Sequence, residues 1–196
     1  MLGSNRSITP HFHQHQFKKF RLADHIQDDR DDIIMWDEQR LSWDLYKGHA
    51  DYAATDIAAI TASGIVSWKG CKSDKIDYEI HACFDKYQSW VKPEGYTPYC
   101  LGHEQGHFDI TEIYARKLHA ELKNHSFKCG EEEEFERFIN DFLLEWEMTE
   151  KQYDLDTNWS TDRAEQAVWV EKIELKLSKE LPYPKATPID GQQIGR

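Results

Sequence analysis

The chain has 196 residues, enough for one well-cored domain and too few to demand two. Its 36 acidic residues against 24 basic ones give a formal net charge of −12. Such a charge repels a phosphate backbone or an anionic membrane, so nucleic acid is not an expected partner. No apolar run approaches the ~18 residues of a membrane span.

Residues 1–37 are polar and irregular, with His11, His13 and His15 alternating and an Asp28-Asp29-Arg30-Asp31-Asp32 run. They read as an N-terminal extension without the apolar core of a secretory signal. The protein is therefore expected in the cytoplasm, or in the periplasm or outside the cell if an export signal has been removed. The folded domain is expected over residues 38–180, with a tail at 181–196.

Leu41 to Tyr46 reads as a strand closed by Lys47-Gly48, and Tyr52 to Trp68 as containing another that ends near Lys69-Gly70. The clearest strand follows. Ile76, Tyr78, Ile80, Ala82 and Phe84 alternate with Asp77, Glu79, His81, Cys83 and Asp85, a period of two that turns one face to the core. Its polar face, carrying His81, suggests a sheet edge to which an extended peptide could add as a strand. Of Cys71, Cys83, Cys100 and Cys129, no spacing matches a zinc finger or a redox pair. A Cys71–Cys83 bridge across adjacent strands and free buried thiols are the two expectations.

Thr97-Pro98 then opens a helix expected to run to about Lys123, with threonine as cap and proline at the first position. It carries His103-Glu104-Gln105-Gly106-His107. Side chains four apart lie on one helical face, so two imidazoles can close on one zinc with Glu104 beside it. His103, His107, Ile110, Tyr114 and Leu118 form one stripe, which puts both histidines on the buried face. Buried without a metal, each would need a partner of its own.

A second helix follows, opened by Glu131-Glu132-Glu133-Glu134 at the end where acidic residues are favoured, with Phe135, Phe138, Phe142, Trp146 and Tyr153 as its apolar stripe. Catalytic zinc takes three protein ligands and leaves one position for water. If the two helices pack antiparallel, Glu147, Glu150 and Asp154 are the carboxylates facing the histidines, with Asp156 just beyond. The fold class is then α+β: a small antiparallel sheet followed by an antiparallel helix pair bearing the HExxH motif.

Ser89-Trp90, the string Leu101 to Ile110 with its core HEQGHFDI, Glu112 and Ala115-Arg116-Lys117-Leu118 together closely resemble the bacterial domain of unknown function family 922, predicted zinc-dependent proteases. The resemblance extends through Leu41-Ser42-Trp43, Tyr153-Asp154-Leu155-Asp156-Thr157, Gln166 and Trp169, and covers roughly residues 38–178. It implies a zincin-like peptidase in which His103 and His107 bind Zn2+ and Glu104 is the general base. The family pattern ends in a histidine where this chain has Trp159. Asp154, which fits both the pattern and the carboxylate stripe, is the favoured third ligand.

The expected chemistry is peptide hydrolysis by metal-activated water, with a peptide or protein as substrate. Tyr153 or His81 is the expected donor to the developing oxyanion. Asp109 and Glu112 are expected either to orient ligands or to be surface charges. The alternative is a catalytically weak or inactive domain, a zinc-stabilised binding module, with Trp159 in place of a site residue.

Overall fold

The period-two stretch forms the centre of a sheet. In the computed structural model, which describes residues 32–37 and 39–179, β1 (Ile33–Met35), β3 (Ser63–Lys72) and β4 (Lys75–Asp85) form an antiparallel sheet in the order β1-β4-β3, and β2 (Ala59–Ile60) pairs with β5 (Trp90–Val91). The β3–β4 hairpin keeps one register from Ser63↔Phe84 to Lys72↔Lys75. Its two-residue turn, Ser73-Asp74, has φ of 52° and 63°, the left-handed pair that matches strand twist. Three helices follow: α1 (Pro98–Leu122), α2 (Glu132–Asp156) and α3 (Arg163–Lys179). The class is α+β. The extension with His11, His13 and His15 and the tail at 181–196 lie outside the described residues.

The apolar side of β4, with Ile80, Ala82 and Phe84, packs against Phe108, Ile113 and Leu118 of α1 in one core cluster. The opposite side of α1 is covered by α2 and α3. Cross-pairs His103 with Asp154, His107 with Glu150 and Tyr114 with Glu145 run in opposite sense, so α1 and α2 are antiparallel. From His103 to Ala115 every residue of α1 is buried. A helix covered on all sides must carry its polar residues into the interior, and each then needs a partner.

Some of those partners come from the segment expected as a strand. Residues 43–45 form a 3-10 turn instead, and Trp36, Arg40 and Leu41 strap onto α1 through hydrogen bonds to its side chains. The Leu41 N–H donates to Gln105 Oε1 at 2.8 Å, so a side chain, not a strand ladder, satisfies it. Asp109 accepts from Trp36 Nε1 (2.7 Å), Arg40 Nη1 (3.0 and 3.1 Å) and Gln105 Nε2 (2.8 Å). Neither Asp109 nor Glu112 is a surface charge. Asp109 anchors the strap, and Glu112, 1% exposed, pairs with Arg116.

α3 was not among the expected elements. Its apolar residues are scattered, with Val168, Val170 and Leu175 exposed and only Gln166 and Ile173 buried, so no stripe marks it.

The cysteine pairing differs from expectation. Cys71 bonds to Cys129, while Cys83 and Cys100 are free and buried. Cys71 stands opposite Ile76 and Cys83 opposite Gly64, at the two ends of the hairpin, about 23 Å apart at the rise of a strand. A backbone bridge between Lys75 and Lys128 brings the α1–α2 loop beside the hairpin tip, and Cys129 with it. The bond closes a separation of 58 residues, for which chain entropy gives a stabilisation of about 4 kcal/mol. Reduction, or Cys129→Ser, is therefore expected to lower the melting temperature by roughly 8–16 °C. An unchanged calorimetric midpoint under reducing conditions contradicts this.

Candidate metal centre

Thr97 caps α1, its side chain accepting from the Cys100 N–H at 3.0 Å, and Pro98 takes the first position. One turn on, His103 and His107 project toward α2. Their Nε2 atoms are 3.3 Å apart, and Oδ1 of Asp154 lies 3.2 Å from the first and 3.0 Å from the second. The other ring nitrogens point away from this meeting place. His103 Nδ1 is 2.9 Å from Gln166 Oε1, and His107 Nδ1 is hydrogen-bonded to Glu150 Oε2.

The hydrogens decide what this cluster is. Gln166 Oε1 and a carboxylate can only accept, so each Nδ1 donates and each neutral ring turns a bare lone pair inward at Nε2. With Asp154 Oδ1, three acceptors face one another in a buried site. A divalent cation relieves all three contacts. Two nitrogens ~2.0–2.1 Å from a tetrahedral zinc stand about 3.3–3.4 Å apart, which matches the separation of the imidazoles. A proton is the rival occupant. Burial disfavours a charge on His107, but Asp154 and Glu150 outweigh it and hold the imidazole well above its usual pKa. Burial also opposes the charge on Asp154, and His107 and His103 reverse that, holding its carboxyl well below the usual range. A proton on His107 serves the pair with Asp154 and leaves His103 Nε2 without a donor of its own. The donor set therefore fits a metal, whose binding would release that proton.

Asp154, His103 and His107 are thus brought together. Glu150 lies outside this trio. Its Oε2 accepts from His107 Nδ1, and its Oε1 accepts from Trp146 Nε1 (2.9 Å) and Thr111 Oγ1 (3.2 Å), so both oxygens are engaged in holding the imidazole. Asp156 accepts from Gln152 and Trp169, away from the cluster. His81 lies beside Glu79 on β4 and outside the cluster. Tyr153 lies beneath the site, wholly buried, its ring stacked on His103 at 4.6 Å and its hydroxyl donating to the His103 carbonyl at 3.2 Å.

Glu104 is 4% exposed, and its Oε2 is buried without a hydrogen-bond partner among the described residues. A bare buried carboxylate oxygen is costly unless a donor, such as water, reaches it. Its neighbours feel the charge. Burial first, and Glu104 second, push the Cys100 thiol up to about 12 and raise the Tyr46 hydroxyl beyond its ordinary range.

Beside the ligands the chain turns through Asn158, Trp159 and Ser160, with φ of 45°, 48° and 63°. Three successive side-chain-bearing residues in the left-handed region cost about 1–2 kcal/mol each. Trp159 N–H donates to the Asp154 carbonyl at 2.9 Å, and its side chain is 40% exposed. It therefore stands at the edge of the site and supplies no metal ligand.

The glycines of α1 show how closely α2 approaches. A Cβ on Gly106 would fall 2.8 Å from Cζ of Tyr153, whereas one on Gly102 would meet nothing within 4 Å. The same substitution should therefore act in opposite directions. Gly102→Ala is expected to raise stability by about 0.5–1 kcal/mol through helix propensity, and Gly106→Ala to lower it by about 1–3 kcal/mol by overpacking. Denaturant unfolding checks both, and equal effects would contradict the packing described.

In comparisons with known proteins, the family model described as bacterial protein of unknown function (DUF922) matches residues 82–161. That span takes in α1, α2, the converging His103, His107 and Asp154 and the left-handed turn, but not α3. Neither the curated proteins nor the solved structures yield a match. No helix among the described residues is long and apolar enough to cross a membrane.

Proposed function

We propose that the protein is a zinc-dependent peptidase in which His103, His107 and Asp154 hold the metal and Glu104 is the general base. The observation that carries this reading is the convergence of three lone-pair atoms at tetrahedral spacing, with the unpartnered carboxylate oxygen of Glu104 on the same helix. A zinc ion bound there would polarise water and lower its pKa towards about 7. With such a metal bound, Glu104 would be the group to hold the water's proton and to return it to the leaving amine. Glu150 keeps His107 presented through Nε2. Tyr153, whose hydroxyl is engaged beneath the site, acts in positioning and not as the donor to the oxyanion.

A second reading is favoured by burial. His103, Glu104 and His107 are each less than a tenth exposed, and only the Asp154 side chain, at 21%, reaches solvent appreciably. A site so closed suits a metal that stabilises a binding module. The Cys71–Cys129 bond, for its part, suits an oxidising compartment, so we place the working protein outside the cytosol.

Zinc-loaded protein and Glu104→Gln, assayed on a mixed peptide library, separate the two readings. The peptidase reading expects equal zinc content and a loss of cleavage of at least about 100-fold in the variant. Equal rates, or no cleavage by either protein, would leave the binding module as the surviving account.

A further inference from the structure

We infer that Gln166, on α3, and Tyr153, on α2, form a lock that holds His103 in the one tautomer able to bind metal. The inference rests on the metal reading of the cluster but not on any catalysis. Its geometry is a closed circuit of three hydrogen bonds. The His103 carbonyl can only accept, so Tyr153 Oη donates to it at 3.2 Å. The phenol oxygen, its proton committed, accepts from Gln166 Nε2 at 2.6 Å. The amide is thereby oriented with Oε1 toward His103 Nδ1, 2.9 Å away, and an oxygen without a proton requires that nitrogen to carry one. The lone pair of His103 is left on Nε2, facing His107 and Asp154.

Turning the amide round reverses every step. Gln166 would then donate to Nδ1, Tyr153 would give its proton to the amide oxygen and lose the His103 carbonyl, and the imidazole proton would move to Nε2, into the place a metal needs. The groups concerned are held tightly enough for this to matter. Gln166 is 5% exposed and Tyr153 wholly buried, and the Tyr153 ring lies against the His103 ring with an interplanar angle of 16°. Gly106 leaves the space that lets the phenol approach so closely.

The two ligands are thus oriented by unlike partners. His107 donates to the carboxylate of Glu150, whereas His103 donates to a neutral amide whose direction depends on a tyrosine. The residue that completes the circuit lies beyond the matched span of 82–161, so the metal site extends into α3.

The test uses the full chain. In metal-free protein with nitrogen-15-labelled histidine, long-range proton–nitrogen correlation is expected to show His103 protonated at Nδ1. In Gln166→Leu the proton should move to Nε2. Zinc affinity, measured by chelator competition, is expected to fall 10–100-fold in Gln166→Leu, and less in Tyr153→Phe. The double variant should bind no more weakly than Gln166→Leu alone. Gln166→Glu, which keeps the acceptor and the shape, should retain the Nδ1 proton and bind zinc at least as tightly as Gln166.

A wild-type His103 protonated at Nε2 overturns the lock, as does a Gln166→Leu affinity within about twofold of wild type. Equal loss in Gln166→Leu and Gln166→Glu, with folding intact by circular dichroism, overturns it too, because the residue would then serve packing alone. The tautomer is read without metal or substrate, so absence of peptidase activity does not bear on it.

Discussion

Three buried atoms that converge and need a positive charge between them, a proton or a metal, constrain the rest of this structure. His103 Nε2, His107 Nε2 and Asp154 Oδ1 lie 3.0–3.3 Å apart, and each ring has its proton on the far side, where Gln166 or Glu150 receives it. Lone pairs at that distance repel in a buried site unless a positive charge joins them. The fold works to maintain the arrangement. Trp146 and Thr111 hold Glu150, Tyr153 holds Gln166, and the Tyr153 ring closes the floor.

The cost of carrying such a site inside a helix covered on all sides is visible along α1. Most of its buried polar residues have acquired a task. Gln105 and Asp109 fasten Trp36, Arg40 and Leu41, Thr111 serves Glu150, and Glu112 pairs with Arg116. Glu104 and Tyr99 are the exceptions, since Glu104 Oε2 and Tyr99 Oη have no partner among the described residues. Of these two, the bare carboxylate oxygen is the costlier to bury, and on the helix that carries His103 and His107 it suits a donor that enters the site. The strained turn at Asn158–Ser160 lies at the edge of the same site, where backbone strain tends to gather.

Much of this was readable before the fold. The alternation from Ile76 to Phe84 and the long apolar stripes of α1 and α2 are local patterns, and local patterns survive into structure. The convergence of the candidate ligands is legible for the same reason: His103 and His107 share a face by helical spacing, and an antiparallel hairpin limits a third to a few carboxylates. Glu150 and Asp154, one turn apart, differ only in rotation about the helix, and spacing does not decide which takes the metal and which takes the imidazole proton. The Cys71–Cys129 bond depends on a bridge between Lys75 and Lys128 that no local signal announces. Leu41 to Tyr46 carries a strand-like pattern but forms no ladder, because the Leu41 N–H bonds to a side chain of α1 and residues 43–45 turn as a 3-10 helix, and α3 has no sequence stripe because its apolar residues do not share a face.

The zinc environment bears most directly on this account. X-ray absorption of the zinc-loaded protein should show one ion per chain, bound by two imidazole nitrogens at ~2.0–2.1 Å and carboxylate or water oxygen at ~2.0–2.2 Å. Protein purified without chelator that neither contains nor takes up zinc would contradict the account. So would an ion bound through sulfur at ~2.3 Å, which would place the metal on a cysteine instead of on His103, His107 and Asp154.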